Sequence, residues 1–459
     1  MGKLQWHRSL VLICVIFMGG CDQIIDFPFY NGFVAKNVCS GVFVSGIQED
    51  IMRDEYAGPN VYPLPLFWQV NVDYNNKAVT ASDIIFQSSA EQQAYYRPGF
   101  GCTLLQDKTI AELNAQVPEP REPYIPPSNA YWPRGTAGVW PFPIAGVDYG
   151  AINQALDTAF APSPDYLKQT VAVVVAHDNR LIAEKYADTV NATTRLLGWS
   201  MTKSFTATFI GMLHDRGLLN IKSKAPISEW AGTEKENITI ENLLHMASGI
   251  EFQESYTSPN NDLSYMLHAL NRFSDFIIDR PLIAEPGSTY NYSTADTMML
   301  ARIGHEALGG TIGNTHNFLF ENLFEPIGIS DAVLEYDTAG YPGGGSYLTM
   351  KPRDWARLGL LYLNDGNWFG EQVLSTQWVD YSKSPSSANN KYGAQIWTNT
   401  NQERWESLPE DTFAFLGHQL QATFIVPSEN LVVVRMGFTH GGDAGIEQLV
   451  ASIIDALPE

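Results

Sequence analysis

The chain has 459 residues, 45% of them hydrophobic and 12% aromatic, which is the composition of a globular protein with a large core and length for two or three domains. That composition excludes a disordered or fibrous chain. Fifty acidic residues against 28 basic ones give a net charge of −22, a field that repels nucleic acid and anionic lipid headgroups and so excludes nucleic-acid binding.

Residues 1–20 read as an export signal. Lys3, His7 and Arg8 form a positive start, Leu10 to Met18 an apolar run too short to span a bilayer, and Gly19-Gly20-Cys21 a small-residue cleavage site. The arrangement resembles a bacterial lipoprotein signal, with Met18-Gly19-Gly20-Cys21 as its processing box. Cys21 would then be the lipidated first residue, tethering an exported protein to the periplasmic face of a membrane. Cleavage as an ordinary signal peptide is the alternative. With Cys14 removed and Cys21 acylated, Cys39 and Cys102 remain. Exported proteins pair such a couple, so a Cys39–Cys102 disulfide is expected, with two buried thiols as the other possibility.

Residues 21–116 alternate short apolar and polar runs. Phe67 to Tyr74, Asn75-Asn76 and Lys77 to Thr80 predict a hairpin within a small β-rich N-terminal domain. Residues 117–145 hold eight prolines among Tyr124, Tyr131, Trp132 and Trp140, and read as an extended connector lying on a neighbouring surface. From residue 146 to 459 the pattern predicts a helix over Tyr149–Phe160 and two strands within Thr170–Tyr186. A buried helix follows Ser200. Further helices are expected at Ile240–Met246, Asp262–Leu270, Ala295–Leu308 and Pro352–Leu363. A hairpin of Ala422–Val426 and Leu431–Met436 precedes a helix from Gly445 to Leu457. Helix, strands, a helical insertion, returning strands and a closing helix make an α+β sandwich.

Within that frame, Ser200-Met201-Thr202-Lys203 puts a hydroxyl and an amine on one helical face at the mouth of an apolar helix. Burial lowers a lysine pKa, so Lys203 could take the Ser200 proton near neutral pH, while helix N-terminal amides face a developing oxyanion. A surface helix start, with Ser200 as N-cap and Lys203 solvated, is the bland alternative. Tyr290-Asn291-Tyr292-Ser293-Thr294 precedes another helix; Tyr292 could relay a proton if nearby cations lowered its pKa, or simply pack there. Gly417-His418-Gln419-Leu420-Gln421 opens the last hairpin, where a strand edge could supply an amide and His418 could line the site or be structural. The nine histidines form no cluster with metal-ligand spacing, and neither a metal nor an organic cofactor is expected.

In this order and spacing the motifs resemble the serine β-lactamase and penicillin-recognising superfamily, most of all the class C β-lactamase-related hydrolases that include family VIII-type esterases and 6-aminohexanoate-dimer hydrolases. Leu243 to Ile250, Glu285-Pro286-Gly287 and Asp354 to Tyr362 support the resemblance. It implies a β-lactamase/transpeptidase-like sandwich with an antiparallel sheet and a large helical subdomain. It also implies Ser200 as nucleophile, Lys203 as base, Tyr292 as proton relay, and the amides of Ser200 and Gln421 as oxyanion hole, with His418 and Thr294 lining the substrate site. Three departures stand out. Thr294 replaces an asparagine, His418 replaces a lysine that holds substrate carboxylates, and Leu420 replaces a glycine, where its side chain could crowd the acyl strand edge. Together they point away from antibiotics and toward a serine hydrolase of small esters or amides acting through an acyl-enzyme. A D-alanyl peptidase or weak β-lactamase, and a non-catalytic binding protein that keeps the fold, are the alternatives. The segment Gly340 to Ser346 is read as a tight or mobile loop near the site.

Overall fold

The computed structural model describes residues 27–57, 68–83, 91–119, 121–122, 124–255 and 261–458. The signal segment and Cys21 lie outside the described residues. Among the described residues no helix is long and apolar enough to cross a membrane.

The chain enters through α1 (Phe27–Cys39), whose Gly32, Val34, Ala35 and Val38 are buried. A β-rich region was expected here, and the helix is a difference. Gly32 and two asparagines in its interior give it poor helix propensity, so burial between two layers stabilises it. It lies on a four-stranded antiparallel meander, β1 (Trp68–Asp73), β2 (Ala78–Asp83), β3 (Gln92–Arg97) and β4 (Gly101–Leu104). The expected hairpin is β1–β2, with Asp73 opposite Ala78. Cys39 and Cys102 form a disulfide that joins the end of α1 to β4. On the other side α1 sends Lys36 into the body of the protein. There the buried Lys36 ammonium pairs with the buried Glu335 carboxylate, which also accepts from Ser40 Oγ at 2.8 Å and from the Cys102 amide at 2.7 Å. Val34, Val38 and Cys102 belong to the same continuous apolar core as Phe205, Leu300 and Tyr347, so this layer shares its interior with the rest of the protein.

The 117–145 stretch lies along the body. Trp132 is buried, and Arg357 donates to the carbonyls of Pro133 at 3.0 Å and Gly135 at 2.8 Å.

Beyond it come α2 (Tyr149–Phe160), β5 (Thr170–His177), β6 (Arg180–Tyr186), β7 (Leu196–Leu197), α3 (Met201–Asp215), α4 (Ile240–Leu244), α5 (Asp262–Ala269), α6 (Thr294–Ala307), β8 (Val333–Leu334), β9 (Leu348–Met350) and α7 (Pro352–Leu363). The chain closes with β10 (Trp397–Thr398), β11 (Phe413–Gly417), β12 (Gln421–Val426), β13 (Leu431–Gly437) and α8 (Ile446–Ile454). The central sheet is antiparallel throughout, in the order β10-β11-β12-β13-β5-β6, with Val433 opposite Val175. Every residue of β5 is buried because the sheet is covered on both sides. Val173 and Val175 face α2 and α8, whereas Val174 and Ala176 share a core with α3 and α7. This is an α+β sandwich with a helical subdomain inserted between β6 and β10.

Candidate active site

Ser200 stands at a sharp turn between β7 and α3. Leu196 and Leu197 pair with Met350 and Thr349 of β9, and the Gly198 amide donates to the Leu348 carbonyl at 2.9 Å. Gly198 lies so close to the Trp355 indole that a Cβ would sit 2.2 Å from it. Trp199 is then held at a φ of +48°, a left-handed conformation that costs a large side chain about 1–3 kcal/mol. Its indole is fixed from several sides: Nε1 donates to Gln419 Oε1 at 3.1 Å, and Phe33 of α1 lies nearly parallel to the ring, 6.5 Å between centroids. Ser200 follows at φ −66° and makes no side-chain capping bond to α3, which removes the bland reading of this residue.

The Ser200 hydroxyl is instead engaged by Lys203, one turn into the helix. Lys203 is 1% exposed, and its ammonium donates to Ser200 Oγ at 2.9 Å, Thr294 Oγ1 at 2.8 Å and the Gly345 carbonyl at 2.9 Å. Nζ also lies 5.1 Å from the centre of the Tyr292 ring. Desolvation lowers the Lys203 pKa from 10.5 to about 8, against an opposing pull from the Glu254 charge.

Thr294 is the first residue of α6, whose N-cap, Ser293, accepts from the Asp296 amide at 3.1 Å. Its hydroxyl donates to Glu254 Oε1 at 2.7 Å and its amide to Glu254 Oε2 at 2.9 Å. Glu254 was not singled out from the sequence, because it lies 40 residues from Thr294 with no motif around it. Gly345 comes from the glycine run expected to be near the site, and the run is tightly packed. A Cβ on Gly344 would lie 2.6 Å from Ala301, and one on Gly345 would lie 2.9 Å from Thr294. These glycines let two carbonyls reach α3, one to Lys203 and the other, from Gly344, to the Thr206 hydroxyl at 2.6 Å.

Tyr292 corrects an expectation. Burial, reinforced by Glu254, raises its pKa well above 10, with contact to the Ser200 hydroxyl opposing, so at neutral pH it is a protonated phenol and not a lowered one. It stacks on Trp397, 5.4 Å between centroids, and the Arg404 guanidinium covers the Trp397 ring at 3.9 Å.

The third motif also differs from expectation. Residues 418–420 form a tight turn with Gln419 and Leu420 at φ of +59° and +65°, held by Arg435 donating to both of their carbonyls at 2.9 and 3.0 Å. Leu420 thus occupies a backbone state that favours glycine. Its side chain joins the apolar cluster of α2 and α8 and does not crowd the strand edge as expected. The Gln421 amide donates to the His418 carbonyl, and its side chain exchanges hydrogen bonds with Gly437, so the expected Gln421 amide is not turned toward an oxyanion. His418 meets the edge of Trp199, with 5.5 Å between centroids. Desolvation, and then His440, lower its pKa to about 3, so a neutral ring stands where a lysine was replaced.

Comparison with known proteins fits this geometry. Residues 156–445 match the family model described as Beta-lactamase. A 6-aminohexanoate-dimer hydrolase from Paenarthrobacter ureafaciens is 22% identical over 329 residues, which covers 63% of this chain and 79% of that protein. Among solved structures, a penicillin-binding protein homolog from Caulobacter crescentus aligns with a TM-score of 0.54 at 15% identity, covering 67% of this chain and 97% of its own. A family VIII carboxylesterase aligns with a TM-score of 0.51 at 14% identity, covering 70% of this chain and all of the other.

Proposed function

This chain belongs to the beta-lactamase family, and from that premise we propose that it is a serine hydrolase that opens a small ester or amide through an acyl-enzyme on Ser200. The observation that carries the reading is the buried Lys203 amine at 2.9 Å from the Ser200 hydroxyl. In its neutral form Lys203 takes the Ser200 proton as Oγ bonds to the substrate carbonyl carbon. The ammonium so formed is received by Thr294 Oγ1 and the Gly345 carbonyl. Tyr292, protonated across the neutral range, gives its proton to the departing alcohol or amine, and the tetrahedral oxyanion faces the N-terminus of α3. The Lys203 ammonium then gives its proton back to the Tyr292 phenolate; water attacks the acyl carbonyl carbon as the neutral Lys203 takes its proton, and that proton passes to Ser200 Oγ as the bond from Oγ to the acyl carbon breaks and the acid leaves.

Two observations favour neutral acyl substrates over β-lactams or peptidoglycan stems. His418 carries no charge where a substrate carboxylate would need one, and Thr294 is committed to Glu254 and Lys203. The 6-aminohexanoate-dimer hydrolase and the family VIII carboxylesterase, by their names, lie on the amide and ester sides of this choice. Lipidation at Cys21 and a periplasmic location complete the proposal, on the sequence of residues 1–21 alone.

A fluorophosphonate probe tests it. Ser200 is labelled in the wild type, labelling is lost in Ser200→Ala and is much reduced in Lys203→Ala. A folded wild type that is not labelled overturns the reading. Para-nitrophenyl esters from acetate to octanoate, set beside nitrocefin, then separate an esterase from a β-lactamase.

A further inference from the structure

Three oxygens surround Lys203 Nζ, and an ammonium has three protons, one for each. Once a proton is lost, two N–H donors and one lone pair remain. The lone pair must meet a group that carries a hydrogen, and the Gly345 carbonyl has none. Two hydroxyls compete for it, Ser200 and Thr294. Only the first leads to chemistry.

Resting on the reading of Ser200 as nucleophile, we infer that Glu254 is a positioning residue: by accepting the single proton of the Thr294 hydroxyl it leaves Ser200, of the three groups hydrogen-bonded to Lys203 Nζ, as the one that can donate to the lysine lone pair. A carboxylate accepts and does not donate, so at 2.7 Å from Glu254 Oε1 the Thr294 hydroxyl proton points away from Lys203. The Thr294 amide, a fixed donor, occupies Oε2 at 2.9 Å and locks the carboxylate in place. The Thr294 oxygen is then purely an acceptor for Lys203. An asparagine at this position would present its carbonyl oxygen to the lysine with no proton to misdirect; the threonine carries one, and Glu254 removes the ambiguity.

The same carboxylate is the charge that opposes the lowering of the Lys203 pKa. The other polar groups around Nζ are Ser200, Thr294, the Gly345 carbonyl and the Tyr292 phenol. Tyr290, Tyr392 and Arg404 stand behind that phenol.

Glu254→Gln tests the inference because it reverses the pattern. The Thr294 amide claims the one carbonyl oxygen of the new side chain, so its NH₂ group faces Thr294 Oγ1 and turns that hydroxyl proton onto Lys203. The rate of fluorophosphonate labelling at Ser200 is measured from pH 6 to 10. The plateau at high pH is expected to fall about tenfold, while the midpoint of the rise moves to lower pH because a negative charge is gone. Loss of the charge moves the midpoint whatever the role of Glu254, so the decisive readout is rescue by a second substitution, which a merely structural role does not give. In Glu254→Gln/Thr294→Val the misdirected proton is absent, and the plateau rises again above that of Glu254→Gln. If Glu254→Gln does not fold, Glu254→Asp keeps the charge but draws the carboxylate back from the Thr294 hydroxyl, and its plateau is expected to fall severalfold while the midpoint stays near that of the wild type. A plateau unchanged in Glu254→Gln, a double variant no faster than Glu254→Gln, or a Glu254→Asp plateau at the wild-type level overturns the inference. Wild-type labelling in the same series keeps the hydrolase reading intact whatever Glu254 does.

Discussion

Raising the pH from 6 to 9 should switch the site on through one titration. Between 10.5 and about 8, the folded environment of Lys203 disfavours its ammonium by roughly 3 kcal/mol. At pH 7 about a tenth of the molecules then hold the neutral amine, against about three in ten thousand for an ordinary lysine. Burial of this one group thus gives a gain of roughly 300-fold in the reactive form. The second-order rate of Ser200 labelling, or kcat/KM for a short para-nitrophenyl ester, should climb tenfold per pH unit below 8 and level above it. No falling limb is expected below pH 10. The Tyr292 phenol stays protonated throughout, and the His418 ring has already lost its proton well below the range. A flat profile, or a rise that continues past pH 10, would refute the argument, because either means that the group accepting the proton is not a buried lysine.

Three further outcomes follow from the packing. Gly198→Ala forces a methyl against Trp355 beneath the strained turn; it should cost about 1–3 kcal/mol in urea unfolding and depress Ser200 labelling by more than the lost folded fraction. Asp296 is buried, accepts from the Ser248 hydroxyl at 2.8 Å, and burial raises its pKa to about 7. The folded state therefore binds more protons than the unfolded one between about pH 4 and 7, so this group's contribution to stability is full at low pH and is lost as pH rises through 7. Asp296→Asn should flatten that part of the melting-temperature profile, and an unchanged slope would count against it. Reduction of the Cys39–Cys102 bond, which spans 63 residues, should lower stability by roughly 2–4 kcal/mol, read from urea midpoints with and without reductant.

The parts of the site that a sequence can show are those whose partners are near in the chain. Ser200 and Lys203 meet because i and i+3 share a helical face, and the apolar residues after them already imply a buried amine. Four strands of the central sheet were equally plain, since Val171 to Ala176 and Leu431 to Val434 are apolar runs of strand length, whereas the edge strands β10 and β11 were not singled out. Glu254 was not legible, because its meaning depends on Thr294, brought to it by the fold. The direction of the Tyr292 shift failed for a related reason: burial and the Glu254 carboxylate, both supplied by the fold, outweigh the opposing Ser200 hydrogen bond and Arg404 charge. At Leu420 a side chain was taken as an obstacle when the backbone dihedral was the governing fact. Helix α1 escaped notice because its stability comes from what surrounds it, not from its own residues.

The joint between α1 and the body sets a limit on how this protein can be divided. The family match begins at residue 156, and a chain trimmed to that point would lose Lys36 together with the layer that covers Glu335, opening that carboxylate and the apolar core shared with α1 to solvent. It would also strip Phe33 from the face of Trp199, next to the reactive serine. The leading segment thus props the turn that carries Ser200, and the smallest unit that folds should begin upstream of Phe33.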